Sequence, residues 1–146
     1  MGKITVSTLL PASPAVVWAD VQHVASHVEW MADAESITIT SPTTSGVGTT
    51  FDCRTKIGPI RLTDKMIVTA WEDERVMGVR HVGLVTGTGQ FTLDPERVDG
   101  ETWTRFTWSE ELRYPWWLGA AVGGLVGDQI LKQVWKRNLK KLRARF

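Results

Sequence analysis

Residues 115–146 read as one helix-like stretch of 32 positions, closing a chain that is otherwise patterned as strands. The stretch opens Tyr114-Pro115-Trp116-Trp117 and sets Gly119, Gly123 and Gly127 at four-residue intervals. It carries seven basic residues and no acidic ones after Asp128. A sheet has a face that must be covered, and one long helix after a run of strands is the element available to cover it. The pattern implies a sheet wrapped around a helix, an α+β arrangement in which a small guest can lie between the two.

The basic tail leaves the remainder of the chain acidic. Residues 1–128 hold ten Lys or Arg against sixteen Asp or Glu, a net of −6. Phosphate binding needs a basic surface, so nucleic acid is not the expected partner. Cys53 is the sole cysteine, so no internal disulfide can form, as suits a reducing compartment. The N-terminus shows no signal-peptide pattern, and Val6 stands where a myristoylation motif wants Ser or Thr. The apolar run Trp116 to Val126 falls short of the roughly 20 residues that span a bilayer. These features imply one cytoplasmic domain over residues 1–146, with no cofactor and no metal.

Ile4 to Leu9 alternates with period two and stops before Pro11, the pattern of a strand. Ser13 followed by Pro14 is a helix-entry signal. A second short helix over Val24 to Met31 places Val24, His27, Val28 and Met31 on one side. Further strands are expected at Ser36–Thr40, Thr49–Ile57, Ile60–Trp71, Val76–Val82, Val85–Leu93 and Thr102–Leu112. The short turns between them, such as Gly58-Pro59 and Val98-Asp99-Gly100, imply antiparallel neighbours.

The order strand, two short helices, about six strands, long helix resembles the START-like helix-grip fold. The family resembled is the polyketide cyclase/dehydrase and lipid-transport group, related to the birch-pollen allergen. Local matches are Val16-Val17-Trp18, Trp30, Gly48-Thr49-Thr50-Phe51, Val68-Thr69-Ala70-Trp71-Glu72, Phe91-Thr92-Leu93 and Trp108. The resemblance covers essentially the whole chain. It implies a curved antiparallel sheet of about seven strands around the terminal helix, and it brings no shared catalytic signature.

In such a fold, strand parity nominates the residues that face the helix. Over residues 60–70 the inward phase is Ile60, Leu62, Met66, Val68 and Ala70, and Asp64 shares it. His81 falls with Met77 and Val79. Glu110 and Thr104 fall with Phe106, Trp108 and Leu112. Cys53 and Thr55 share the phase of Phe51. Burial moves carboxyl and imidazole groups toward acid–base competence near neutral pH, so Glu110 and His81 are catalytic candidates and Asp64 a ligand-orienting one. Phe51, Cys53, Met66, Val68, Phe106 and Trp108 are the expected apolar lining.

On the terminal helix, Leu131, Val134, Trp135, Leu139, Leu142 and Phe146 form one stripe at 100° per residue. Extended backwards, the stripe meets Asp128, Gly124 and Trp117. Small residues there leave room for a guest, and Asp128 becomes a third catalytic candidate. Trp117, Gly124 and Trp135 join the ligand-binding set, and Trp116 and Trp117 are placed at the cavity mouth. Leu118, Val122 and Leu125 fall on the outer side, where they can form a homodimer contact, a membrane-surface contact, or a strip folded inward by a kink. Membrane contact is disfavoured, because small-xxx-small spacing is a weak signal outside a membrane.

His23 and His27 have metal-pair spacing but no third ligand, so two partly exposed histidines are expected. Gly83, Gly87 and Gly89 loosely imitate a phosphate loop, yet they lie in strand-like sequence with no following helix. The expected function is binding of a small hydrophobic molecule such as a lipid, polyketide or aromatic. The alternatives are an enzyme resembling aromatase/cyclases, working by acid–base chemistry, and a regulatory protein-interaction module.

Overall fold

The computed structural model describes residues 2–57, 59–116 and 125–146. Seven strands form a single antiparallel sheet in the order β1-β7-β6-β5-β4-β3-β2. They are β1 (Gly2–Leu10), β2 (Ala34–Ile39), β3 (Thr50–Ile57), β4 (Ile60–Glu72), β5 (Val76–Val82), β6 (Thr86–Val98) and β7 (Glu101–Arg113). Between β1 and β2, which lie at opposite edges, the chain makes helix α1 (Pro14–Val21) and a 3-10 helix (Val24–Glu29). Helix α2 (Leu125–Arg143) closes the chain and packs against β1. This is the helix-grip arrangement: a curved sheet closed by a C-terminal helix.

Local chemistry accounts for most of these elements. Ser13 is extended and its hydroxyl accepts from the Val16 amide, with Pro14 at the first helical position. The long β6–β7 hairpin turns on Asp99 and Gly100, at φ 49° and 82°, the left-handed pair that matches strand twist. Both strands outrun the expected Val85–Leu93 and Thr102–Leu112. Residues 94–98 of β6 pair only with β7, which leaves the free edge where Pro95 is tolerated.

Parity is confirmed wherever the ladder is regular. Thr104, Phe106, Trp108 and Leu112 of β7 are buried, as are Met77 and His81 of β5 and Phe51 and Cys53 of β3. In β4 it fails at one place. A bulge between Val68 and Ala70 turns Ala70 outward against Gly78 and brings Trp71 opposite Met77. Trp71 then packs edge-on against Trp18 of α1, with ring centroids 5.2 Å apart.

The terminal stripe is as expected: Leu131, Trp135, Leu139 and Leu142 are buried, with Val134 and Phe146 packed beside them. Asn138 joins them, fully buried, although polarity argues against it. Its Nδ2 donates to Asp33 Oδ1 at 2.8 Å and its Oδ1 accepts from the Ala32 amide at 2.9 Å. At the far end of the helix, Arg145 clasps Asp20 with bonds of 2.8 and 2.7 Å, tying the C-terminus to α1. The stretch expected to run helical from residue 115 is helical over Leu125–Arg143. Trp117, Leu118, Gly119, Val122, Gly123 and Gly124 lie outside the described residues. No described helix is long and apolar enough to cross a membrane.

Candidate functional site

The concave face divides into a filled part and an open part. In the filled part, Trp30 stands over Phe91, Phe106 and Trp108, with ring centroids 5.8 to 6.2 Å apart. Trp108 continues into a stack on Trp135 of α2 at 4.5 Å, with planes inclined by 17°. Beyond this aromatic block, a cavity opens between the sheet and α2. It offers about 120 Å³ to the centres of water-sized molecules. One water needs about 10–15 Å³ on this measure, so a small organic guest fits.

Phe51, Cys53, Met66, Trp108 and Trp135 line this cavity, as parity and the helical stripe implied. Val68 and Phe106 face inward but are not part of its wall. Both are buried in the packed core, and Trp30 covers Phe106. Trp116 is 84% exposed beyond the end of β7. Trp117 and Gly124, expected in the lining, lie outside the described residues, as does the side chain of Leu125 in the proposed dimer strip.

Asp64, His81 and Glu110 come together on one wall. His81 Nδ1 donates to the Asp64 carboxylate, 2.9 Å from each oxygen, and Nε2 lies 3.1 Å from Glu110 Oε1. The ring is only 3% exposed, and the two carboxylates 15% and 11%. Register explains the first contact. Met66 is directly opposite His81, so Asp64, two residues back on β4, is its diagonal neighbour on the same face. The second contact has a longer reach, because β6 lies between β7 and β5. The β6 residue paired with Glu110 is Gly89, and the Glu110 side chain lies over its bare backbone.

Burial opposes charging of the His81 ring, but the hydrogen bonds to Asp64 and Glu110 outweigh it and push the group up to about 10. Burial likewise pushes the Glu110 carboxyl up, against the pull of its bond to His81. With Nδ1 on Asp64, the other ring nitrogen and Glu110 Oε1 face each other at 3.1 Å and have one proton to share between them. The arrangement can store a proton at Glu110 and restore it through His81, with Asp64 fixing the ring from behind.

Asp128, the third catalytic candidate, is partly buried at the start of α2. It is not among the residues lining the cavity and makes no bond to the relay. Asp64 and Glu110 address opposite nitrogens of one ring, so they do not converge on a common point. Among the described residues, no three His, Cys, Asp or Glu side chains are arranged to hold a metal ion.

His27 departs from the partly exposed histidine of the sequence pattern. It is buried at the cavity wall, packs tilted against Trp30 and edge-on to Phe91, and bonds through Nε2 to the Val21 carbonyl at 2.7 Å. Burial lowers its pKa to about 4, so the ring is neutral. Cys53 is raised to about 11 by burial, with the Thr55 hydroxyl 3.6 Å from Sγ partly offsetting that.

Asp33, Gly89 and Tyr114 are among the lining residues that escaped sequence reasoning. Asp33 lies in a loop without periodicity; its carboxylate receives Asn138 and, at 3.4 Å, the Trp135 indole. Gly89 carried a signal in being a glycine inside a strand, which marks a close approach. Tyr114, the chain's only tyrosine, follows β7 just outside the alternating pattern. Its hydroxyl is shielded from solvent and has no hydrogen-bond partner among the described residues.

A family model described as polyketide cyclase/dehydrase and lipid transport matches residues 1–146. No curated protein matches the sequence. Among solved structures, TTHA0849 from Thermus thermophilus is similar at a TM-score of 0.80 and 16% identity, covering 99% of this chain and 96% of that one. XoxI from Bacillus cereus gives 0.75 and 17%, covering 100% and 96%. The major latex-like protein 151 of Panax ginseng gives 0.73 and 13%, covering 99% and 96%. At these identities the likeness is one of fold alone.

Proposed function

Starting from a chain that belongs to the polyketide cyclase/dehydrase and lipid transport family, we propose that it binds one small apolar molecule between the sheet and α2. The observation that carries this reading is the cavity itself. Its wall is mostly side chains such as Phe51, Met66, Leu131 and Trp135, interrupted at a few places by polar groups. Apolar area supplies affinity in such a site, and a few fixed polar groups set orientation. Native mass spectrometry with a panel of lipids, polyketides and aromatics tests it. Mass shifts from retained guests are expected, and a mass that never changes sinks the proposal.

A second reading is favoured by one specific contact, the bond between His81 Nε2 and Glu110. A protonated carboxyl facing a cavity can give its proton to a carbonyl or hydroxyl oxygen of the guest and recover it through His81. That is the acid–base work a cyclase or dehydratase needs. Glu110→Gln discriminates between the readings. Catalysis predicts lost turnover with retained binding, whereas unchanged turnover removes Glu110 from any mechanism.

A further inference from the structure

The polar wall of the cavity carries a net charge. Asp64 takes the Nδ1–H of His81 on both of its oxygens, the role of an ionised carboxylate. The other ring nitrogen and Glu110 Oε1 have one proton between them. When Glu110 holds it, the ring is neutral; when the ring holds it, the imidazolium cancels the Glu110 carboxylate. The three side chains sum to one negative charge either way. Asp33 adds a second, because its oxygens accept from Asn138 Nδ2 and the Trp135 indole, neutral donors that leave the charge in place.

The wall holds no counter-charge. Among the described residues no lysine or arginine lines the cavity, and residues 117–124 contain neither. Burial holds the His27 ring neutral and keeps the Cys53 thiol and the Tyr114 phenol protonated. Asp128, near enough to act on Tyr114, adds to the same sign. A guest carboxylate brings like charge into a mostly apolar enclosure, where charges are poorly screened. A guest ammonium gives up hydration too, but it meets opposite charge and oxygen acceptors. Asp64 and Glu110 both line the cavity, and their side chains remain 15% and 11% exposed. A carboxylate oxygen can accept two hydrogen bonds, and those of Asp64 take one apiece from His81.

We propose that the cavity selects an apolar guest carrying a protonated amine, with the Asp64–His81–Glu110 wall as its counter-charge. This rests on the binding reading and names the class of molecule that the same site prefers.

Three probes on one ring system test it at pH 7: 2-naphthylmethylammonium, 2-naphthylmethanol and 2-naphthoate, titrated calorimetrically into wild type and the double variant Asp64→Asn/Glu110→Gln. The double substitution keeps the shape of the wall and removes its negative charge. Wild type should bind the ammonium most tightly and the carboxylate least, with at least about a tenfold ratio between those two. The double variant should cut that ratio at least about threefold and leave the alcohol's affinity within about twofold of wild type. The order in wild type decides the inference even where the double variant does not fold. Carboxylate binding as tight as ammonium binding, or the alcohol binding tighter than the ammonium, overturns this inference and leaves the binding reading standing. So does a ratio that survives unchanged in a folded double variant. No binding of any probe overturns both.

Discussion

Gly89 stands opposite Glu110 in the β6–β7 ladder, and the absent Cβ of the glycine is what lets the Glu110 carboxylate reach across β6 to His81. A Cβ at position 89 would come within 2.8 Å of Glu110 Cγ and closer still to Oε1. The polar wall of the cavity therefore depends on a residue that contributes no side chain.

Gly89→Ala should break the His81–Glu110 bond while leaving Asp64 in place. The displaced carboxylate must find another position within a packed wall, and the expected loss of stability is about 1–3 kcal/mol. Imidazole NMR shifts followed against pH provide the readout. The His81 titration should move downward in Gly89→Ala, and an unchanged titration would show that Glu110 reaches the ring by another route.

Stability should fall on both sides of neutrality, for different reasons. The pKa of His27 is lowered on folding, so between pH 6.5 and about 4 the unfolded chain takes up a proton that the folded ring refuses. Stability drops there as pH falls, by roughly 2–4 kcal/mol. The pKa of His81 is raised to about 10, so its contribution is complete below pH 6.5 and disappears as pH rises through 10. Urea midpoints measured from pH 4 to 10 should lose their acid slope in His27→Gln and their alkaline slope in His81→Asn. Slopes identical to wild type would refute both assignments.

Asn138→Ala should destabilise the fold by about 2–3 kcal/mol. The fully buried amide bonds Asp33 and the Ala32 backbone, and truncation leaves a carboxylate oxygen and an N–H without those partners. Urea unfolding should show a lower midpoint with an unchanged slope. A loss below about 0.5 kcal/mol would mean that water replaces the amide at little cost.

Cys53 should react slowly with thiol reagents below about pH 10, because burial raises its thiol to about 11. It lines the cavity, so a bound guest should slow the reaction further. Rapid modification at pH 8, or a rate indifferent to a saturating guest, would count against the position assigned to the ligand.

Much of the site is legible in the sequence because parity is a local property. Alternation along β4, β5 and β7 places Asp64, His81 and Glu110 on the face toward the helix, and each is there. The bulge at Val68 is not legible, since an extra residue between two apolar ones leaves no mark on composition. Alternation therefore puts Ala70 on the wrong face. Asn138 escapes notice because a polar residue on an apolar stripe reads as an interruption until Asp33 and Ala32, more than a hundred residues away, supply its partners.

By itself, then, the sequence determined the elements, their inward faces and the helix-grip class, because side-chain direction and helix or strand period are set by neighbours along the chain. The tertiary structure alone decided that Asp64, His81 and Glu110 come together on one wall and that Trp30 fills one part of the concave face. Those outcomes depend on strand order, register and the gap over Gly89, which couple positions from 17 to 29 residues apart in the relay itself. No local pattern encodes that distance; packing does.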